Sequence, residues 1–521
     1  MTLELPFLKS EWLFHRSTLY YHTQDETVAM PSEKPHVLLI STDHWPAALL
    51  GEAGHSAIIT PTLDELARSG TRFSNAYSEC PVCIPARRTL MTGTPPKTHG
   101  DRVFKTLEPM PALPTLAQTF RSSGYQAYAV GKLHVYPQRN RIGFNDVILA
   151  EEGRPHLGAI DDHDLYLSDH GFAGQGFAHG MSNNEYSYRP WHLPEHAHVT
   201  NWAAREMCRL IKRRDPQRPG FWYLSFCHPH PPLVPLQSYL DLYMDVDIDR
   251  PYDGEWSRDV ANLPFALKQI QGKHAHLKDA EIRRIRRAFY ALCTHIDHQL
   301  RVVIGTLREE GLLDNTIILF TSDHGDMLGN HGLWAKRLYY ERSANVPMIL
   351  VGGSDGRVPH HAVDDRLVGW QDVMPTLLDL AGVEIPDSVE GLSMVGQPRR
   401  SALYGECGED ASASRMLRDE RYKLIYYPVG NRSQLFDLQE DPDERVDLSS
   451  SEAHTSVCVN LKEQLISHLY GSDLKWLDND QLVGLPDRTY TPGSNKGLSG
   501  VRGLHFPSPP LDDSGQVVGT P

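Results

Sequence analysis

The 521-residue sequence contains no apolar run of the roughly 18 residues that a membrane-spanning helix needs, so no helical span and no membrane partner are expected. Cysteine is scarce. The seven present (Cys80, Cys83, Cys208, Cys227, Cys293, Cys407 and Cys458) are odd in number and widely scattered, in a chain too large to need covalent stapling, so free thiols are expected. A basic excess is also missing: 51 Lys and Arg against 66 Asp and Glu leave a formal charge of −15, which argues against nucleic acid as a partner. A locally cationic pocket for an anionic substrate remains compatible with that balance. The opening stretch, MTLELPFLKSEWLFHRSTLYYHTQDE, is punctuated by charge and lacks the apolar core of a secretory leader, so a cytoplasmic location is expected.

What is present is an alternating pattern of helices and strands. KPHVLLISTDH (34–44) is a short, branched apolar run ending in polar groups, the signature of a strand buried on both faces in a parallel sheet. A helix follows, with Thr60 as its expected cap, Pro61 in its first turn and Gly70 at its end. PTLAQTFRSSGYQAYAVGKLH (114–134) repeats this helix–strand grammar. A long amphipathic helix over about 279–310 leads into a second apolar strand, TIILFTSDHGD (316–326), and then a helix at 371–383. Beyond that the pattern changes to shorter strands near 421–428 and 433–438 and a helix near 454–470. The expected class is α/β, with a central mostly parallel sheet flanked by helices and a small C-terminal α+β domain with antiparallel strands. The boundaries expected are an N-terminal extension at 1–33, a catalytic domain at 34–395, a small domain at 396–483 and an extended Gly-, Pro- and Ser-rich tail at 484–521.

In an open α/β sheet, ligands bind beyond the carboxyl ends of the strands. Asp43-His44 and Asp323-His324 occupy two such ends. Taken singly, an Asp-His pair is more often a helix cap beside a core histidine; two pairs in one context point to a divalent cation held by carboxylate and imidazole. Lys132 and His134 in VGKLH, His228 and His230 in CHPHPP, and Lys336 in NHGLWAK also follow strands. Each alone reads as a surface lysine or a loop histidine. Together they form a cationic shell suited to a tetrahedral oxyanion.

CPVCIPARRTLMTG (80–93) sets two cysteines three apart, yet the residues after Cys83 fit neither a redox pair nor half a zinc site. Here the sequence resembles the formylglycine-dependent sulfatases of the alkaline-phosphatase superfamily, close to arylsulfatases, choline sulfatases and phosphonate monoester hydrolases. The resemblance rests on C-x-P-x-R at Cys83–Arg87 with RTLMTGTPPKTHG after it. It extends through LLISTDH, TPTLDELARSGTRFSNAYS, GYQAYAVGKLH, the PHPP loop, TSDHGDMLGNHGLWAK and LFDLQEDPDERVDL, over roughly residues 34–450. It implies an alkaline-phosphatase-like sheet and a sulfuric ester hydrolase acting on an aryl, sugar or small-alcohol sulfate. It further implies that a formylglycine-generating enzyme converts Cys83 to formylglycine, whose hydrate is the nucleophile, with Arg87 holding it. Asp43, Cys83, Asp323 and His324 would bind one divalent metal, Ca²⁺ or Mn²⁺. Lys132, His134, His230 and Lys336 would clamp the sulfate, release it or protonate the leaving oxygen. His44 stands where many members carry a second aspartate, so it is set apart from the ligand set, as is His228.

Two other readings compete with sulfate-ester hydrolysis. A phosphonate monoester or phosphodiester hydrolase would use the same machinery, because the clamp meets a tetrahedral oxyanion in each case. A Cys80–Cys83 dithiol protein would leave the Asp-His strand ends without a purpose. Segment 151–200, with its aromatic and charged mix, is expected to line the leaving-group pocket. The tail residues Leu498, Val501, Leu504 and Phe506 have too little mass for a core and are expected to pack on a neighbouring subunit of a homo-oligomer.

Overall fold

The computed structural model describes residues 34–491 apart from 153–159, 182, 275 and 397–398. The expected N-terminal extension, part of the 151–200 segment and the tail residues from Leu498 onward therefore lie outside the described residues.

Eight strands form the main sheet: β1 (His36–Asp43), β2 (Thr71–Tyr77), β3 (Gln126–Gly131), β4 (Asp146–Leu149), β5 (Gly220–Pro229), β6 (Thr316–Ser322), β7 (Met348–Val351) and β8 (Ala362–Gly369). Their order is β4-β3-β5-β1-β6-β7-β2-β8. Only β7 runs antiparallel to its neighbours, β6 and β2; the other pairs are parallel. The unbroken apolar run of β1 follows from its central position. Val37 and Leu39 enter the core on one face, Leu38 and Ile40 the core on the other, and all four are inaccessible to solvent. Helices Val199–Lys212 and Asp279–Glu309 cover one face; Cys83–Thr92, Leu116–Ser122 and Val373–Leu380 cover the other.

The helix Pro61–Ser69 corrects one local expectation. Thr60 precedes it, but its side chain caps no helical N–H and instead accepts from the Gly51 N–H and donates to Asp64. The free N–H groups of Thr62 and Leu63 go to the carboxylate of Asp297, at 3.0 and 2.8 Å, from the long Asp279–Glu309 helix. Tertiary packing thus supplies the cap.

A second, four-stranded antiparallel sheet is ordered β12-β11-β10-β9, from β9 (Ala402–Cys407), β10 (Ser414–Asp419), β11 (Tyr422–Tyr427) and β12 (Arg432–Asp437). One face buries Leu417, Leu424 and Leu435 beneath helix Thr455–His468. The other presents Met416, Ile425 and Phe436 to Tyr77, Cys80, Val82, Tyr339 and Tyr340 of the larger body. The small sheet therefore backs both segments that reach residue 83, the approach through Cys80 and Val82 and the loop after Lys336. Lys423 reinforces the junction, its buried ammonium 2.6 Å from Glu341 and 2.7 Å from Glu444. No helix among the described residues is long and apolar enough to cross a membrane.

Candidate active site

Register brings the strand ends together. β1 lies between β5 and β6, with Asp43 opposite Pro229 and Thr42 opposite Ser322, so Asp43 and Asp323 become neighbours although they lie 280 positions apart in sequence. Helix Cys83–Thr92 begins over this edge. Val82 precedes it with extended backbone, Pro85 falls in the first turn where a missing N–H costs nothing, and Gly93 closes it at φ +65°. Any Cβ at Gly93 would also strike Val389. Cys83 and Arg87, one turn apart, share the helix face that looks onto the strand ends.

The cysteine sits among groups contributed by three separate elements. Its sulfur is 2.9 Å from Lys336 Nζ, 3.4 Å from His324 Nε2 and 3.7 Å from Asp43 Oδ1. Arg87 donates from Nε to Asp323 at 3.1 Å and from Nη1 to the Lys132 carbonyl and Ser225 Oγ, both at 2.8 Å. Its Nη2 is buried without a hydrogen-bond partner, 3.5 Å from Asp43. Lys132 Nζ bridges Asp43 and Glu152. His230 stacks edge-on against His44 with ring centroids 4.4 Å apart, and its buried Nε2 has no hydrogen-bond partner. His134 is placed by its own N–H and that of Leu133, which both donate to Glu151, and its ring meets Phe104 at 5.5 Å. His228 turns elsewhere, its ring against His198. Cys80 also turns away, toward the Arg102 carbonyl at 3.7 Å, and all seven cysteines are free.

Charge states follow from these contacts. Burial alone would raise Asp43, but Lys132, His230 and Lys336 outweigh it and hold the carboxyl well below the usual range. Asp323 moves the other way, pushed up by burial and by the Asp43 charge beside it. Burial would lower His324, yet Asp323 raises it; His44 is held well below the ordinary imidazole value by burial and Lys336. The Cys83 thiol is raised by burial and Asp43, but Lys336, Lys132 and His324 prevail and lower it. Burial pushes Asp326 up to about 6.

Asp43, Cys83, Asp323 and His324 present ligand atoms within 4.8 Å of one another, all buried; Asp43, His44 and His230 form an overlapping second group. Two carboxylates and an imidazole form a donor set suited to a hard or borderline divalent cation. The donor set has a ready ligand in Asp323 Oδ1, which is buried without a hydrogen-bond partner, an arrangement costly for a carboxylate unless a cation meets it. The residues fit a metal ion.

Sequence reasoning passed over Asp326, Glu151, Glu152 and Ser225, over Tyr186, whose hydroxyl donates to Asp326, and over Tyr223, whose hydroxyl accepts from Arg87 Nη1 at 3.4 Å. Asp326 was within reach of it, because it stands in the same SDHGD run as Asp323 and His324. Ser225 and Tyr223 lie inside an apolar strand, with nothing in the local pattern to mark them.

Comparison with known proteins supports the same reading. Residues 35–383 match the family model described as Sulfatase, and residues 329–470 match that of the N-sulphoglucosamine sulphohydrolase C-terminal region. The chain is 34% identical over 484 residues to an arylsulfatase of Clostridium perfringens (88% of this chain, 99% of the relative). It is 30% identical over 445 residues to a choline-sulfatase of Rhizobium meliloti (81% and 84%). Its fold resembles the crystal structure of a phosphonate monoester hydrolase of Agrobacterium radiobacter, with a TM-score of 0.73 at 24% identity, covering 83% of this chain and 95% of that one. The chain therefore belongs to the sulfatase family of the alkaline-phosphatase superfamily and is a hydrolase of sulfate esters.

Proposed function

We propose that the chain cleaves a sulfate monoester of an aryl, sugar or small alcohol through a formylglycine at position 83. In the structure residue 83 is cysteine, and its Sγ marks where the hydrate oxygens would stand. The supporting observation is that this one atom lies within 3.7 Å of a cation, an imidazole and a carboxylate, from Lys336, His324 and Asp43. An ordinary helix-start cysteine needs none of these.

Asp43, Asp323, His324 and residue 83 would hold one divalent ion, Ca²⁺ or Mn²⁺. When bound, the ion supplies a Lewis acid beside the nucleophile and the sulfuryl oxygens. The chain's own groups do the rest. Arg87 orients the hydrate from one turn along the helix. One hydroxyl attacks sulfur as its proton passes to the Asp323 carboxylate, whose Oδ1 has no other donor, and the alcohol departs with its bonding electron pair and a proton from the Lys336 ammonium. Lys132 and Arg87 offset charge on the sulfuryl oxygens. Loss of a proton from the second hydroxyl, for which His134 and His230 are the available imidazoles, re-forms the aldehyde and expels sulfate. Water then adds to the aldehyde carbon and restores the hydrate, so none has to reach the hindered sulfur.

Mass spectrometry of active protein should show the peptide containing residues 80–87 with Cys83 as an aldehyde and Cys80 still alkylatable. Cys83→Ser should lose multiple turnover while Cys80→Ser keeps it. A Cys83 thiol at full occupancy in active enzyme would overturn the proposal. A phosphonate monoester or phosphodiester preference would leave these results unchanged, and a panel of all three ester types decides between them.

A further inference from the structure

One chain of contacts in the site has no part in the reaction above. His44 leaves β1 with φ +76°, a conformation few side chains adopt, and is 1% exposed. Its Nδ1 lies 2.7 Å from Asp326 Oδ2, and the Tyr186 hydroxyl donates to the same oxygen. Asp326 Oδ1 accepts the N–H groups of Leu328 at 2.9 Å and Ala335 at 3.1 Å. With three donors already fixed on it, this carboxylate acts as an acceptor toward His44, so the imidazole carries its proton on Nδ1. The Nε2 lone pair then points into the site, where Lys336 Nζ donates to it at 2.7 Å while also reaching residue 83 at 2.9 Å.

From this we infer that Asp326 and Tyr186 are positioning residues that act through His44 on Lys336. Asp326 grips the lysine at both ends. Its Oδ1 holds the backbone N–H of the preceding residue, Ala335, and its Oδ2 sets the tautomer of the imidazole that receives the ammonium. Ala335 and Arg337, on either side of the lysine, are both in the left-handed region (φ +59° and +73°), so the surroundings fix this backbone rather than its own preference.

The inference rests on the role given above to Lys336. In that step one Nζ–H proton passes to the leaving oxygen as the S–O bond breaks and its electron pair stays on oxygen. The amine keeps a hydrogen on His44 Nε2 and regains its proton from water after the alcohol departs. An amide at position 326 would turn an N–H toward Nδ1, favour the opposite tautomer and aim a hydrogen at the ammonium.

The test uses full-length, metal-loaded enzyme with bound metal and melting temperature measured for every variant. Asp326→Asn is expected to lower kcat/KM about 100-fold for an alkyl sulfate, as for loss of a carboxylate that orients a histidine. It should cost far less for 4-nitrophenyl sulfate, whose leaving group needs no proton. Tyr186→Phe should show the same contrast at about 5-fold. Combining Asp326→Asn with Lys336→Ala should be no worse than Lys336→Ala alone, because the two act in series. Equal losses on both esters, additive losses in the double variant, or loss of bound metal from Asp326→Asn would overturn the inference. If Asp326→Asn does not fold, the ester contrast in Tyr186→Phe decides it. A wild-type enzyme inactive on sulfate esters would instead refute the proposed function, and a Lys336→Ala variant without ester contrast would refute the lysine's role; either removes this inference too.

Discussion

At the carboxyl end of β1, His44 turns out of the strand and gives Nδ1 to Asp326; at the end of β6, His324 gives Nδ1 to the carbonyl of its neighbour Gly325 and turns Nε2 toward Cys83. Both follow an aspartate, both are buried, and their rings stand 4.5 Å apart. Yet one is held well below the ordinary imidazole value and the other above it. After burial, which lowers both, the largest influence on His44 is the Lys336 ammonium and on His324 the Asp323 carboxylate. The same dipeptide in the same kind of place thus takes opposite electrostatic roles, set by whichever charge the fold brings near it.

Removing the carboxylates should produce the largest effect. Asp43→Ala and Asp323→Ala are each expected to cost at least about 10³-fold in kcat/KM and to abolish stoichiometric binding of a divalent ion. Their circular dichroism should stay native, since two crowded carboxylates repel in the absence of a cation. Retained metal with full activity in either variant would break the assignment.

The histidines come next and sharpen the contrast directly. His324→Ala should cost about 10³-fold and release metal, whereas His44→Ala should cost about 10²-fold with the leaving-group dependence described above. Equal losses, with metal released from both, would show that the two strand ends play one role.

The smallest effect concerns a buried carboxylate that no cation dominates. Glu151 accepts two backbone N–H groups, and burial pushes it up to about 7 from 4.5. A carboxyl raised on folding binds protons more readily in the native state, so its contribution to stability falls as pH rises from about 4.5 through about 7. Glu151→Gln keeps an oxygen for both N–H groups and cannot ionise. Its unfolding free energy from denaturant titration should match wild type near pH 4.5 and exceed it at pH 8 by about 1–3 kcal/mol. A difference independent of pH would show that Glu151 does not titrate in this window.

Much of the site could be read from local pattern. Buried parallel strands are continuous apolar runs, so the point where KPHVLLISTDH and TIILFTSDHGD turn polar marks a strand end, and the functional groups stand there. The cap of helix Pro61–Ser69 is not legible locally, because the local signal, Thr60, is present while the group that caps, Asp297, is 235 residues from Thr62. Asp326 and Tyr186 escaped notice for a related reason. A carboxylate 282 residues from His44 and a hydroxyl 140 residues from that carboxylate leave no periodic trace.

By itself the sequence determined the element types, the order of helix and strand, and the chemical inventory: a C-x-P-x-R helix start, two Asp-His strand ends and a set of lysines and histidines after strands. These are properties of neighbours along the chain, fixed by hydrophobic period and backbone preference. Only the tertiary structure decided which oxygen each proton faces, which histidine meets a cation and which a carboxylate, and which helix ends are capped from afar. Those outcomes depend on separations of 2.7 to 3.7 Å in a buried, low-dielectric site, and register between β1, β5 and β6 sets those separations.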